Sequence, residues 1–149
     1  MRPAGEDSVY SAFGQVIRYH YIRTHALLDK LGVYPGQPAV LFLLGKQGGL
    51  SQKEIALALH RKAATITVML NRMAKTRLIE CRPDPADHRV TKVHLTSRGR
   101  RVRDRVRETT QAIGAECFGG LTDAELGQLN RMLLKMRDNL AAAEATSDK

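Results

Sequence analysis

Cysteine is scarce, long apolar runs are absent and acidic side chains fall short of basic ones; each shortage excludes something. The only two cysteines, Cys81 and Cys117, are too few to staple a small secreted scaffold and fit a reducing compartment. The longest unbroken apolar stretch, Ala39 to Leu44, is far below the ~20 residues that cross a bilayer, so no membrane partner is expected. The opening "MRPAGEDSV" puts acids where an export signal needs a basic start and an apolar run, and a cytoplasmic protein is expected. No Gly-rich phosphate loop, no spaced nucleophile and base and no cluster of metal ligands occurs. His20 and His25 are off the four-residue step that suits shared ligation on a helix. Neither an enzyme nor a bound metal or cofactor is expected.

What the chain has is positive charge. Its 149 residues, the size of a single domain, carry 24 Lys and Arg against 15 Asp and Glu, a formal +9. From Lys46 to Arg105 there are 15 basic and 5 acidic side chains, and elsewhere 9 and 10. The whole excess therefore sits in one stretch, where it suits a polyanion: nucleic acid first, an anionic surface second. Arg98, Arg100, Arg101, Arg103 and Arg105 end that stretch, either as phosphate contacts or as a solvated helix face.

Hydrophobic periodicity makes most of the chain helical. Val9, Phe13, Val16, Ile17, Tyr21, Thr24, Leu27, Leu28 and Leu31 recur at three- and four-residue steps, one apolar stripe on a helix of about five turns. "GVYPGQPAV" interrupts it, and Pro38 is placed to open a second helix carrying Val40, Leu41, Leu43 and Leu44 before "GKQGGL" closes it. Ser51 with Glu54 is a capping box that starts a third helix at Gln52, with Ile55, Ala58 and Leu59 inward. After a basic break, His60 to Lys62, a fourth helix turns Ile66, Met69, Leu70 and Met73 inward. Its other face carries Arg61, Ala64, Val68, Asn71, Arg72 and Lys75, with Thr67 at the flank.

Two short helices across a tight turn, the second with small, amide and basic residues outward, describe a helix-turn-helix. Ile79 and Cys81, then Thr91, Val93 and Leu95, alternate with polar residues and predict two half-buried strands flanking the polar loop Pro83 to Val90. A hairpin so placed is a wing. Arg89 is the candidate for the minor groove, where narrow A·T segments concentrate negative potential, with Asp87 aiming it. For base reading, Asn71 suits adenine, Thr67 several edges and Val68 a thymine methyl. Thr96 and Thr122 are N-caps, the second boxed by Glu125. Val102, Val106, Ile113 and Cys117 form one stripe, and Leu126, Leu129, Leu133, Met136 and Leu140 another, followed by a small-residue tail expected to fray.

The ordered set "LSQKEIA", "ATITVMLNRM", "LIECRPDPADHR" and "LTSRGR" resembles the multiple antibiotic resistance regulator (MarR) family. The resemblance implies a mainly α fold with a small β-hairpin wing, a winged helix-turn-helix at residues 35–95 flanked by dimerisation helices at 8–31 and 97–144. It implies a homodimeric transcription regulator, more often a repressor, on a pseudopalindromic operator in double-stranded DNA. The expected DNA-facing set is Ser51, Gln52, Arg61, Lys62, Thr65, Thr67, Val68, Asn71, Arg72, Lys75, Asp87 and Arg89. A small aromatic or phenolic effector is implied between the dimer helices and the winged helix, with Tyr10, Phe13, Tyr21, Tyr34 and Phe42 as lining candidates, or equally as core.

Two positions depart from the family pattern. Arg61, Lys62 and Ala63 leave the fourth helix without a side-chain cap, an end that a DNA phosphate could occupy. Arg77 stands where a glycine is usual, and a left-handed backbone there would cost about 1 kcal/mol. Alternatives are a non-specific architectural nucleic-acid-binding protein and a thiol-based redox regulator. Against the latter, both cysteines fall on apolar stripes and are expected as buried structural thiols.

Overall fold

A computed structural model describes residues 4–147, and the side chains of residues 8–146. Met1–Pro3, part of the stretch read as lacking an export signal, lie outside the described residues. In chain order the elements are α1 (Ala4–Asp29), α2 (Gln37–Gln47), α3 (Gln52–Ala58), α4 (Ala63–Lys75), β1 (Ile79–Pro83), β2 (Thr91–Leu95), α5 (Ser97–Phe118) and α6 (Asp123–Ser147). The chain forms two compact units and passes from the first to the second after Ile113.

In the first unit the core is built from the inward residues of every short element: Val40, Leu41 and Leu44 of α2, Ile55 of α3, and Ile66, Leu70 and Met73 of α4. Leu78, Ile79, Val93 and Leu95 from the hairpin root complete it with Leu28, Val33 and Val106. β1 and β2 pair antiparallel, with Ile79 opposite Leu95 and Pro83 opposite Thr91. A third segment joins them through Leu50, which exchanges two backbone hydrogen bonds with Val93, at 2.7 and 3.2 Å. Gly99 sits against the α4–β1 junction so closely that a Cβ there would lie 2.0 Å from the Leu78 carbonyl oxygen. Only glycine allows α5 to start at that distance.

Three helices close by the same device, a backbone hydrogen-bond pair around a left-handed residue. At the end of α1 the pair is Val33 N to Leu28 O and Gly32 N to Asp29 O; for α3 it is Arg61 N to Ala56 O and His60 N to Leu57 O; for α4 it is Leu78 N to Met73 O and Arg77 N to Ala74 O. Gly32 is left-handed as glycine readily is, whereas His60 and Arg77 adopt φ of 49° and 58° with a Cβ attached. The paired hydrogen bonds hold both where the intrinsic preference opposes it.

Four expectations need correction. Ala58 is exposed and Ala56 is buried in its place; the two flank the Ile55–Leu59 line at equal angles, and the core lies on the Ala56 side. Cys81 is exposed, because burial of β1 is confined to its first residues, where the body covers the hairpin root. Cys117 is exposed as well; its stripe is buried at Val106 and Ile113, and covering ends with the first unit. The tail expected to fray after Leu140 is helical as far as Ser147, and Asp148 and Lys149 lie outside the described residues.

The long helices contrast with this core. Among its described side chains α1 buries only Leu28, while Val9, Val16, Ile17 and Tyr21 are at least half exposed. α6 has no buried side chain among its described residues: Leu126, Leu129 and Met136 are half-buried, and Leu133 and Leu140 are exposed. Both helices therefore hold a regular apolar stripe that this chain leaves to solvent.

Candidate nucleic-acid interface

The surface of α4 follows from the helix period. With Ile66, Leu70 and Met73 sunk into the core, Thr65, Val68, Asn71, Arg72 and Lys75 are exposed together. Lys62 is the N-cap and makes no side-chain capping bond, so the first-turn N–H groups and the exposed Arg61 and Lys62 present positive potential at one end. Thr67 is half-buried, and its hydroxyl donates to the Ala63 carbonyl at 2.9 Å and accepts from Gln52 Nε2. Its proton and one lone pair are thus used inside the protein, leaving Val68 and Asn71 as the freer side chains of the base-reading trio.

Ser51 and Gln52 are likewise committed to structure. The Ser51 hydroxyl accepts from Glu54 N at 3.3 Å, and Glu54 Oε2 accepts from Ser51 N at 2.7 Å, completing the capping box. Glu54 Oε2 also accepts from Lys92 Nζ at 2.8 Å. That lysine bond first, then the bonds from Ser51, hold the Glu54 carboxyl down at about 2, and the bond to Glu54 pushes Lys92 up.

At the wing tip, short turns replace a core. Asp84 Oδ1 accepts from Ala86 N at 2.8 Å, and Asp84 N donates to the Val90 carbonyl at 2.8 Å. Asp87 Oδ1 accepts from Arg89 N at 3.0 Å, and its carbonyl accepts from Val90 N at 2.9 Å. Asp87 thus fixes the Arg89 backbone rather than its guanidinium, which is exposed and makes no ion pair among the described residues. A rigid loop carrying one free arginine can place positive charge in a groove at little entropic cost.

The five aromatic candidates are not gathered. Tyr10 and Tyr21 are exposed on α1, Phe13 is half-buried there, and Phe42 packs against the core. Tyr34 lines a cleft of about 300 Å³, with Pro35, Gln37, Thr65, Val68, Met69 and Arg72. That cleft lies between the start of α2 and the flank of α4, a location that periodicity alone does not reveal. The Glu54–Lys92 bond was also missed, because it joins residues 38 apart in sequence.

The model of the MarR family matches residues 33–91, the stretch from the end of the α1 turn through the wing loop to the start of β2. The chain is 36% identical over 114 residues to the HTH-type transcriptional repressor IacR of Pseudomonas putida, covering 76% of this chain and 68% of that protein. Among solved structures, the YusO protein of Bacillus subtilis is similar with a TM-score of 0.75 at 26% identity, over 92% of this chain and 99% of that one. BpsR of Bordetella bronchiseptica, whose DNA binding is regulated by 6-hydroxynicotinic acid, is similar with a TM-score of 0.72 at 27% identity, over 87% and 93%. These similarities take in the winged helix and extend well beyond it.

Proposed function

The chain belongs to the MarR family of DNA-binding transcription regulators, and from that premise we propose that it is a cytoplasmic homodimeric repressor released from a pseudopalindromic operator by a small aromatic acid. The observation that carries the reading is the pairing of an exposed, basic α4 face with the free Arg89 on a braced wing. Two copies place two α4 helices in successive major grooves, roughly 34 Å apart. Arg61, Lys62, Arg72 and Lys75 neutralise phosphates, Thr65, Val68 and Asn71 face base edges, and Arg89 enters the minor groove. The bare apolar stripes of α1 and α6 supply the dimer contact.

The Tyr34 cleft is the effector site in this reading. Its apolar walls and Arg72 suit a ring bearing a carboxylate, and Thr65, Val68 and Arg72 belong to the DNA-facing surface as well. An occupant therefore competes with DNA, and by linkage the DNA complex binds the effector less tightly.

The test is titration of the protein into a labelled duplex from upstream of its own gene with excess unrelated DNA, followed by 6-hydroxynicotinic acid as the first effector probe. Competitor-resistant binding that Arg89→Ala weakens is expected, as is release by an aromatic acid that Tyr34→Ala blunts. Binding no tighter than to competitor, for the upstream duplex and for any duplex selected from a random pool, would favour a non-specific architectural role.

A further inference from the structure

The first turn of α3 touches both DNA-facing elements. Gln52 Nε2 donates to Thr67 on α4. Two residues on, Glu54 Oε2 holds Lys92 Nζ of β2 at 2.8 Å, and Lys92 lies 3.9 Å from Asp84 Oδ2, across the hairpin where the wing loop begins. Asp84 uses its other oxygen to brace Ala86. Leu50, just before the turn, pairs with Val93. A chain of contacts thus runs from α4 through Gln52, Glu54, Lys92 and Asp84 into the wing loop.

An exposed ion pair by itself contributes little to stability, yet this one differs from a generic surface pair in two ways. The Lys92 side chain is only 20% exposed and sits between a carboxylate of α3 and one of the wing loop. The capping box, moreover, needs only an acceptor at position 54, which glutamine supplies as well as glutamate. Negative charge there also favours the helix N-terminus, but among the described residues only Lys92 uses it as an ion-pair partner.

We propose that the first turn of α3 is a yoke that sets the wing against the recognition helix α4, with Glu54 and Lys92 as positioning residues for DNA reading. The proposal rests on the reading above that Arg89 of the wing contacts DNA. Glu54 and Lys92 act through Arg89 and touch no DNA themselves, so removing their bond lets the wing swing and matters only while Arg89 is present.

The experiment uses the full-length protein and a duplex selected by the wild type from a random-sequence pool, with binding measured for Glu54→Gln, Lys92→Met, Lys92→Arg, Arg89→Ala and the Glu54→Gln, Arg89→Ala double variant. Glu54→Gln and Lys92→Met are expected to weaken binding about fivefold, the order of coupling within one network, and Lys92→Arg to keep most of it. Hydroxyl-radical protection of the minor groove under the wing should fade in Glu54→Gln, while protection of guanine N7 in the major groove persists. In the Arg89→Ala background Glu54→Gln should add nothing. Wild-type affinity for Glu54→Gln, or a loss fully additive with that of Arg89→Ala, overturns the yoke. Arg89→Ala binding like wild type instead overturns the wing reading on which it stands. Thermal melting of each variant separates misfolding from mispositioning, and Glu54→Gln carries the test should Lys92→Met unfold.

Discussion

The winged body and α6 share one hydrophobic grammar and differ in what they do with it. In the body, apolar residues three and four apart converge from short helices until Val40, Leu41, Ile55, Ile66 and Met73 reach 0% exposure. In α6 an equally regular stripe leaves Leu133 39% and Leu140 68% exposed. Periodicity therefore reports which face wants covering, not what covers it. A short element in a tight tertiary setting finds its cover within the chain, whereas on the reading proposed above the long helices α1 and α6 find theirs in a second copy.

The contrast can be broken from either side. Ile66→Ala opens a cavity in the covered core and should cost about 2–5 kcal/mol in chemical denaturation; a loss near zero would mean the core is not as tight as its burial implies. Leu133→Asp should leave the winged body folded by circular dichroism yet give monomers by light scattering. Operator affinity should fall about a hundredfold as the linked second half-site is lost. Intact dimers in that variant would remove α6 from the interface.

Smaller effects sharpen the picture within the body. Arg77→Gly relieves a left-handed Cβ, so the denaturation midpoint should rise by an equivalent of about 1 kcal/mol. A fall would show that Arg77 makes up for its backbone in some other way.

The smallest effect is set by pH. Glu54 is held down from its ordinary 4.5 to about 2, chiefly by Lys92, and Glu125 is held down by the Thr122 backbone N–H and hydroxyl. A lowered carboxylate pKa means that the folded state binds the proton less well. Its contribution is therefore fully present above pH 4.5 and lost as pH falls toward 2. The thermal midpoint should decline through that window, and less steeply in Glu54→Gln. An identical decline in the variant would assign the acid sensitivity to other groups.

Local chemistry made much of the fold legible. The Ser51–Glu54 and Thr122–Glu125 boxes, the basic break at His60 to Lys62, and the alternation on either side of Pro83 to Val90 each mark an element end within a few residues. The exposed face of α4 followed from its period. What depends on distant cover was not legible: the exposure of Cys81 and Cys117, the choice of Ala56 over Ala58, and the Tyr34 cleft. The left-handed turn at Arg77 was foreseeable because a glycine was missing from a familiar place. The same turn at His60 carried no such flag, beyond a break in the helical pattern with no glycine to make it.

The bond between Lys92 and Glu54 also has a direction in time. Its two partners lie 38 residues apart, so α3 and α4 are synthesised before the strand that carries Lys92. Closing that loop costs entropy that grows with its length, so the local turns of α3 and α4 are expected to form before the hairpin docks. A growing chain thus carries its recognition helix before its wing is seated. If the yoke acts as proposed above, full operator affinity requires a chain that has passed Lys92 and seated its hairpin.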